Sequence, residues 1–106
     1  MDDYSVEQLV RTSKHYLDTM EGLITKLTGS WMTGSEQGTV SPVAFMEALE
    51  ILGRLQTSVR SRHSELEEFV AAPTPDKATV LLASIEEARK EGRTRMARLE
   101  ELGPPI

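Results

Sequence analysis

The two histidines, His15 and His63, are the side chains best suited to acid–base chemistry or metal binding in this sequence. Either role needs an imidazole close to a second imidazole or to a positioned carboxylate. His15 is followed by Tyr16 and, one helical turn on, by Asp18. If residues 29–40 form the loop between two antiparallel helices, the distance of each histidine from that loop sets its position along the helix axis. The positions of His15 and His63 then differ by roughly 12 Å at the helical rise. We therefore expect neither a metal site nor a cofactor.

Other catalytic groups are scarce. The chain has no cysteine, which excludes thiolate nucleophiles, disulfides, zinc–thiolate sites and iron–sulfur ligation. Its serines and threonines have no local base partner and no Gly-x-Ser-x-Gly turn. The glycine-rich residues 29–38 lack the Gly-Lys-Ser/Thr of a phosphate-binding loop. We expect a protein that is not an enzyme.

Residues 38–45, GTVSPVAF, are similar to the second half of an EF-hand loop and the start of its exit helix. In that alignment the ligand positions fall on Thr33, Ser35, Gln37 and Ala44, none of which carries a carboxylate. Because calcium needs anionic oxygen ligands, we expect no calcium binding here.

Two groups of residues are candidates for binding a protein partner. Trp31 and Met32 are apolar residues inside the predicted loop. Trp31 either folds back over the end of the helices or serves as an exposed anchor, a role in which tryptophan is enriched. Ala88 and Gly92 lie four residues apart on the last helix, where small side chains allow a neighbouring helix to approach closely.

Basic residues cluster on the same helix as Ala88 and Gly92: Arg89, Lys90, Arg93, Arg95 and Arg98, interrupted by Glu91. Residues 1–41 carry six acids and three bases, and residues 42–73 carry five and three, but residues 74–106 carry six of each. The net charge of −5 and the lack of interleaved aromatics argue against nucleic acid as a partner. The cluster is either a solvated face or a docking patch for an acidic protein. The partner-binding candidates are Trp31, Met32, Ala88, Arg89, Gly92, Arg93, Arg95 and Met96.

The elements that must position these residues are three helices. Phe45, Leu52, Val59 and Leu66 recur every seven residues and predict a helix over 42–72, opened by Ser41-Pro42. Similar apolar stripes predict helices over about 6–28 and 76–102. Gly29 is the expected end of the first helix, and Gly103 the end of the third.

These elements predict an all-α fold with a single domain over residues 1–106. Short connections make successive helices antiparallel neighbours. The expected architecture is an antiparallel helical hairpin with a third long helix laid along it, a three-helix bundle of coiled-coil type. Whether the third helix packs on its own chain or on a second copy stays open.

No apolar run approaches the ~20 residues of a membrane span, and no basic region followed by an apolar stretch marks a secretory signal. We expect a cytoplasmic protein with no membrane partner. Export by a route that reads no cleavable signal stays open.

The residues Lys26-Leu27, Gly29-Ser30-Trp31 and Gly34-Ser35-Glu36 resemble the turn of the small Trp-x-Gly helical-hairpin proteins that the type VII pathway exports. The resemblance implies a stable dimer that leaves the cell. The chain departs from that pattern in three ways: it has Trp-x-x-Gly, a third helix, and no Tyr-x-x-x-Asp/Glu near its C-terminus.

The function expected from these patterns is that of a non-enzymatic helical module for protein–protein interaction. Such a module would be an adaptor, a secretion-type chaperone or a small subunit of a larger assembly. It would bind a protein partner or associate with itself as a homodimer. The alternatives are the exported hairpin protein and a small-ligand-binding bundle. The bundle would use His15, Tyr16, Arg62 and His63 in a shared pocket between helices.

Overall fold

Three long helices make up the protein. A computed structural model of the chain describes residues 3–103, with side-chain surroundings from Val6 onward. α1 spans Asp3–Gln37, α2 spans Pro42–Ala71 and α3 spans Pro75–Glu101. The described part measures 54 × 18 × 17 Å. The all-α three-helix bundle predicted from the sequence is confirmed.

The first helix is longer than its sequence predicts. The expected end at Gly29 and the loop over residues 29–40 are wrong, because α1 continues to Gln37. It ends at Gly38, whose φ of 72° is left-handed. The Gly38 N–H donates to the Ser35 carbonyl oxygen at 3.2 Å, and the Thr39 N–H donates to the Gly34 carbonyl oxygen at 2.9 Å. This pair of hydrogen bonds is the Schellman ending of a helix.

The indole of Trp31 explains why the helix continues through Gly29. Trp31 is only 2% exposed, and the helical path is what brings it into the core. Burying a side chain of this size contributes on the order of 3 kcal/mol or more. That gain outweighs the roughly 1 kcal/mol that each of Gly29 and Gly34 costs inside a helix. Residues 29–36, which resemble the turn of the Trp-x-Gly proteins in sequence, are helical in this chain.

The ends of the other two helices follow their local sequence. Ser41 precedes α2 and its side chain accepts a hydrogen bond from the Ala44 N–H at 3.1 Å. Thr74 precedes α3 and accepts from the Lys77 N–H at 3.2 Å. In both helices proline follows the capping residue, where its missing N–H is harmless. The Gly103 that follows α3 has a φ of 92°.

α2 is the central helix of the core. It packs extensively on both α1 and α3, whereas α1 and α3 touch each other only slightly. The buried residues come from all three helices: Ser13, Leu17, Ile24 and Trp31; Ala48, Ile51, Leu52, Leu55, Ser58, Val59, Leu66 and Phe69; Ala78, Leu81, Ile85, Ala88 and Leu99. Among residues 3–103, no helix is both long enough and apolar enough to cross a bilayer.

Arg62 and His63 interrupt the apolar stripe of α2, and each extends to a different edge of the core. The Arg62 Nε–H donates to the Ser84 carbonyl oxygen of α3 at 3.4 Å. His63 turns towards α1, where its Nε2 lies 3.8 Å from Asp18 Oδ1. Both side chains are half-buried, as expected for polar groups that reach the rim of a core.

Two glycine substitutions test the revised end of α1. A Cβ added at Gly29 would meet no atom within 4 Å, so Gly29→Ala should stabilise the protein by about 1 kcal/mol. Gly38→Ala should destabilise it by about 1 kcal/mol, because its φ is left-handed. Both values can be read from urea unfolding monitored by circular dichroism. Destabilisation by Gly29→Ala would contradict a helix through residue 29.

Candidate functional site

A long groove separates α1 from α3. Both helices pack on α2 and run in the same direction, but they touch each other only slightly, and Gly92 is the α3 residue that lies directly against Tyr16 and Met20 of α1. Too little side-chain volume remains to close the seam. The groove follows α1 from Thr12 to Trp31, a length of about 28 Å at the helical rise.

The groove has two parts. The upper part has a volume of about 600 Å³ and the lower part about 450 Å³. Met96 lines both parts and joins them, so we treat them as one feature, the α1–α3 groove. The upper part is lined by Thr12, His15, Tyr16, Thr19, Met20, Glu86, Arg89, Gly92, Arg93 and Met96. The lower part is lined by Leu23, Leu27, Trp31, Met96, Leu99, Glu100 and Gly103.

Tyr16 forms the floor of the upper part. A Cβ added at Gly92 would lie 3.4 Å from the Tyr16 hydroxyl oxygen and 3.7 Å from Met20 Cε. Gly92 therefore lies directly over the Tyr16 hydroxyl group and the end of the Met20 side chain. Burial raises the pKa of Tyr16, and the neighbouring Arg89 charge offsets part of that rise.

Arg89 is the most distinctive charge in the groove. Its guanidinium carbon lies 5.0 Å from the centre of the Tyr16 ring, within the range of a cation–π interaction. Its Nε is shielded from solvent and has no hydrogen-bond partner in the described part of the chain. A buried N–H of this kind costs free energy until an acceptor reaches it. The guanidinium therefore rests on the Tyr16 ring without a carboxylate partner among the described residues.

The surrounding charges favour an anion. Two arginines, Arg89 and Arg93, line the upper part together with a single acid, Glu86. Within residues 3–103 neither Arg89 nor Arg93 forms an ion pair. By contrast, Arg95 binds Glu91 at 3.0 Å within α3.

The lower part of the groove is almost entirely apolar. Leu23 is 38% exposed there, and Leu27, Met96 and Leu99 continue the same surface towards Trp31. Glu100 is the one charged residue of this part. The groove as a whole is an apolar channel with a basic upper end.

The partner-binding candidates predicted from the sequence separate into three groups. Arg89, Gly92, Arg93 and Met96 line the groove. Ala88 is buried at 7% exposure and does not line the groove, and Arg95 is held by Glu91. Trp31 belongs to the core, so the hypothesis of an exposed anchor is wrong, whereas Met32 is 50% exposed.

Of the four residues considered for a ligand-binding bundle, the structure brings His15 and Tyr16 together in the groove. Arg62 is turned to Ser84 and His63 to the carboxylates of α1. The α1 wall of the groove (Thr12, Thr19 and Met20) was not predicted as a site. Its heptad stripe looks like ordinary core, and only the thinness of α3 leaves it uncovered.

A second polar cluster lies where α1 meets α2. Asp18, Glu21 and His63 each present one ligand atom, and these atoms lie within 4.8 Å of one another. The separation of His15 from His63 that argued against a metal site depended on the misplaced loop. With α1 extended to Gln37, His63 lies beside the turn of α1 that follows His15.

No protein-family model, curated protein or solved structure matches this chain. A functional interpretation therefore depends on the groove and the polar cluster themselves.

The raised pKa of Tyr16 gives a test of the groove geometry. In a Tyr4→Phe variant Tyr16 is the one remaining tyrosine, and its absorbance titration should have a midpoint above that of a free tyrosine. The burial contribution to stability should be fully present below the ordinary tyrosine pKa and lost as pH rises through the higher folded-state pKa. A midpoint at or below the ordinary value would contradict the buried position of the phenol.

Proposed function

We propose that this protein is a non-enzymatic interaction module that binds an amphipathic helix of a partner protein in the α1–α3 groove. The observation that carries this proposal is the groove itself: an apolar channel about 28 Å long, lined at its basic end by Arg89 and Arg93, which form no ion pair among the described residues. A helix laid into an apolar groove is a recurrent mode of recognition, with anchors at i, i+3, i+4 and i+7.

The groove defines the chemistry of its partner. A helix of about five turns would match the channel in length. Its apolar stripe would cover Leu23, Leu27 and Met96, and a carboxylate near one end would reach the Arg89 and Arg93 side chains. Such a partner completes a four-helix bundle. An adaptor, a secretion-type chaperone or a small subunit of an assembly would each use a surface of this kind.

A designed peptide provides the direct test. The probe is a five-turn helix without tryptophan, with leucines along one face and two glutamates near one end; a second peptide carries lysines instead. Trp31 is the only tryptophan and lines the lower part of the groove, so its fluorescence reports binding. We expect saturable binding of the acidic peptide and at least tenfold weaker binding of the basic one.

Two pairs of matched variants locate the binding surface. Arg89→Glu should weaken the acidic peptide at least tenfold, whereas Lys90→Glu makes the same change of charge at an exposed residue outside the groove lining and should have little effect. Gly92→Leu fills the channel above Tyr16 and should weaken binding, whereas Gly53→Leu projects into open space on α2. Equal effects within either pair would refute binding in the groove.

The oligomeric state decides between a different protein and a second copy as the occupant. Residues of all three helices form one hydrophobic core within a single chain, so we expect a monomer of 11.8 kDa by light scattering coupled to size exclusion. A dimer that Gly92→Leu dissociates and Gly53→Leu does not would instead place a second copy in the groove.

A small acidic amphiphile is the second candidate occupant. It is favoured by the convergence of His15 and Tyr16 beside Arg89 in the upper part of the groove. Decanoate is a suitable probe and decanol its uncharged control. If decanoate binds through Arg89 and displaces the acidic peptide while decanol does not, the groove is a small-ligand site rather than a helix-binding site.

A further inference from the structure

The polar cluster between α1 and α2 lies outside the groove and has no role in the proposed function. Asp18 and Glu21 are three residues apart, so they share one face of α1. His63 reaches this face from the antiparallel α2. Its Nε2 lies 3.8 Å from Asp18 Oδ1 and 3.6 Å from Glu21 Oε2. Two helices therefore direct three potential ligand atoms at one point.

The imidazole nitrogen at the centre of the cluster is unsatisfied. His63 Nε2 is shielded from solvent and makes no hydrogen bond within the described residues. Both carboxylate oxygens are too distant for a hydrogen bond, which needs a separation of about 3.2 Å or less. An unpaired buried nitrogen is costly, and two anionic oxygens placed just beyond hydrogen-bond range leave room for something between them.

A metal ion fits that space. Zinc binds imidazole nitrogen and carboxylate oxygen at about 2.0–2.2 Å. Two ligand atoms 3.6–3.8 Å apart subtend roughly 110–145° at an ion placed so, a range that begins at the tetrahedral angle that zinc prefers. The exposed Asp18 and Glu21 side chains can rotate to set the third ligand distance.

We propose that Asp18, Glu21 and His63 form a binding site for a divalent transition-metal ion of the zinc class, which clamps α1 to α2. One imidazole and two carboxylates supply three ligands. Asp18 and Glu21 are more than half exposed, at 55% and 58% of their side-chain surface, so water fills the fourth position. Magnesium and calcium are disfavoured, because they prefer shells made of oxygen alone.

The test is a zinc titration of the whole chain after treatment with a chelator, followed by calorimetry and by the NMR signals of the two histidine rings. We expect one zinc ion per chain, a rise in melting temperature with zinc concentration, and no such effect from magnesium at the same concentration. Zinc should move the ring signals of His63 and leave those of His15 in place.

Conservative variants identify the ligands. His63→Gln, Asp18→Asn and Glu21→Gln should each weaken zinc affinity at least tenfold, whereas His15→Gln, which removes the chain's other histidine, should leave zinc affinity unchanged. Circular dichroism of each variant without metal verifies that it is folded.

Two outcomes would overturn the zinc site. One is the absence of saturable zinc binding to the folded protein, which would leave His63 beside the two carboxylates with no shared ion. The other is His63→Gln binding zinc as tightly as the natural chain. Because none of the three ligands lines the groove, peptide binding and zinc binding can fail independently.

Discussion

The two-sided apolar face of α2 is the constraint on which the rest of the structure depends. A helix that is apolar towards two neighbours needs two helices to cover it, and α1 and α3 take one side each. The fold does not need close contact between α1 and α3, since α2 alone already covers much of the apolar stripe of each. The groove exists because small residues on α3 leave that third seam unfilled.

Among the described residues, the side-chain hydrogen bonds that join α3 to another helix all go to α2, whereas the polar contact of α3 with α1 is the cation–π pair of Arg89 and Tyr16. The Arg98 guanidinium donates to both carboxylate oxygens of Glu47, at 2.7 Å and 3.0 Å, and to Glu101 at 2.9 Å. The Arg98 hydrogen bond lowers the pKa of Glu47. An exposed ion pair of this kind contributes little to stability, but two parallel hydrogen bonds fix an orientation. Together with the Arg62–Ser84 contact, they set where α3 lies along α2.

The sequence predicts where α2 and α3 begin because local and tertiary preferences agree at those positions. Ser41-Pro42 and Thr74-Pro75 are good helix starts in isolation, and the apolar stripes that follow are the ones that the core uses. At the end of α1 the two preferences conflict. Glycine, serine and threonine favour a loop, but the packing of Trp31 favours a helix, and packing prevails.

That single conflict also concealed the polar cluster. If the loop is placed at residues 29–40, every residue of α1 is assigned a wrong position along the helix axis relative to the residues of α2. This error separates His63 from the turn that carries Asp18 and Glu21, so the three residues could not be connected from the sequence. With α1 ending at Gln37 and α2 beginning at Pro42, His63 lies 21 residues after Pro42 and Tyr16 lies 21 residues before Gln37. This count brings His63 to the region of α1 that holds Asp18, but the contact with Asp18 and Glu21 is seen only in the structure.

Of the two helices that line the groove, only α3 carries a signal of it in the sequence. Ala88 and Gly92 stand out on α3 because small residues interrupt a stripe of larger ones. Gly22, Gly29 and Gly53 interrupt helices in the same way, yet a Cβ at any of these three would meet open space. Gly92 differs from them because Tyr16 and Met20 lie directly beneath it. Sequence spacing identifies where a helix lacks side chains, but only the packing of a second helix shows whether that lack shapes a site.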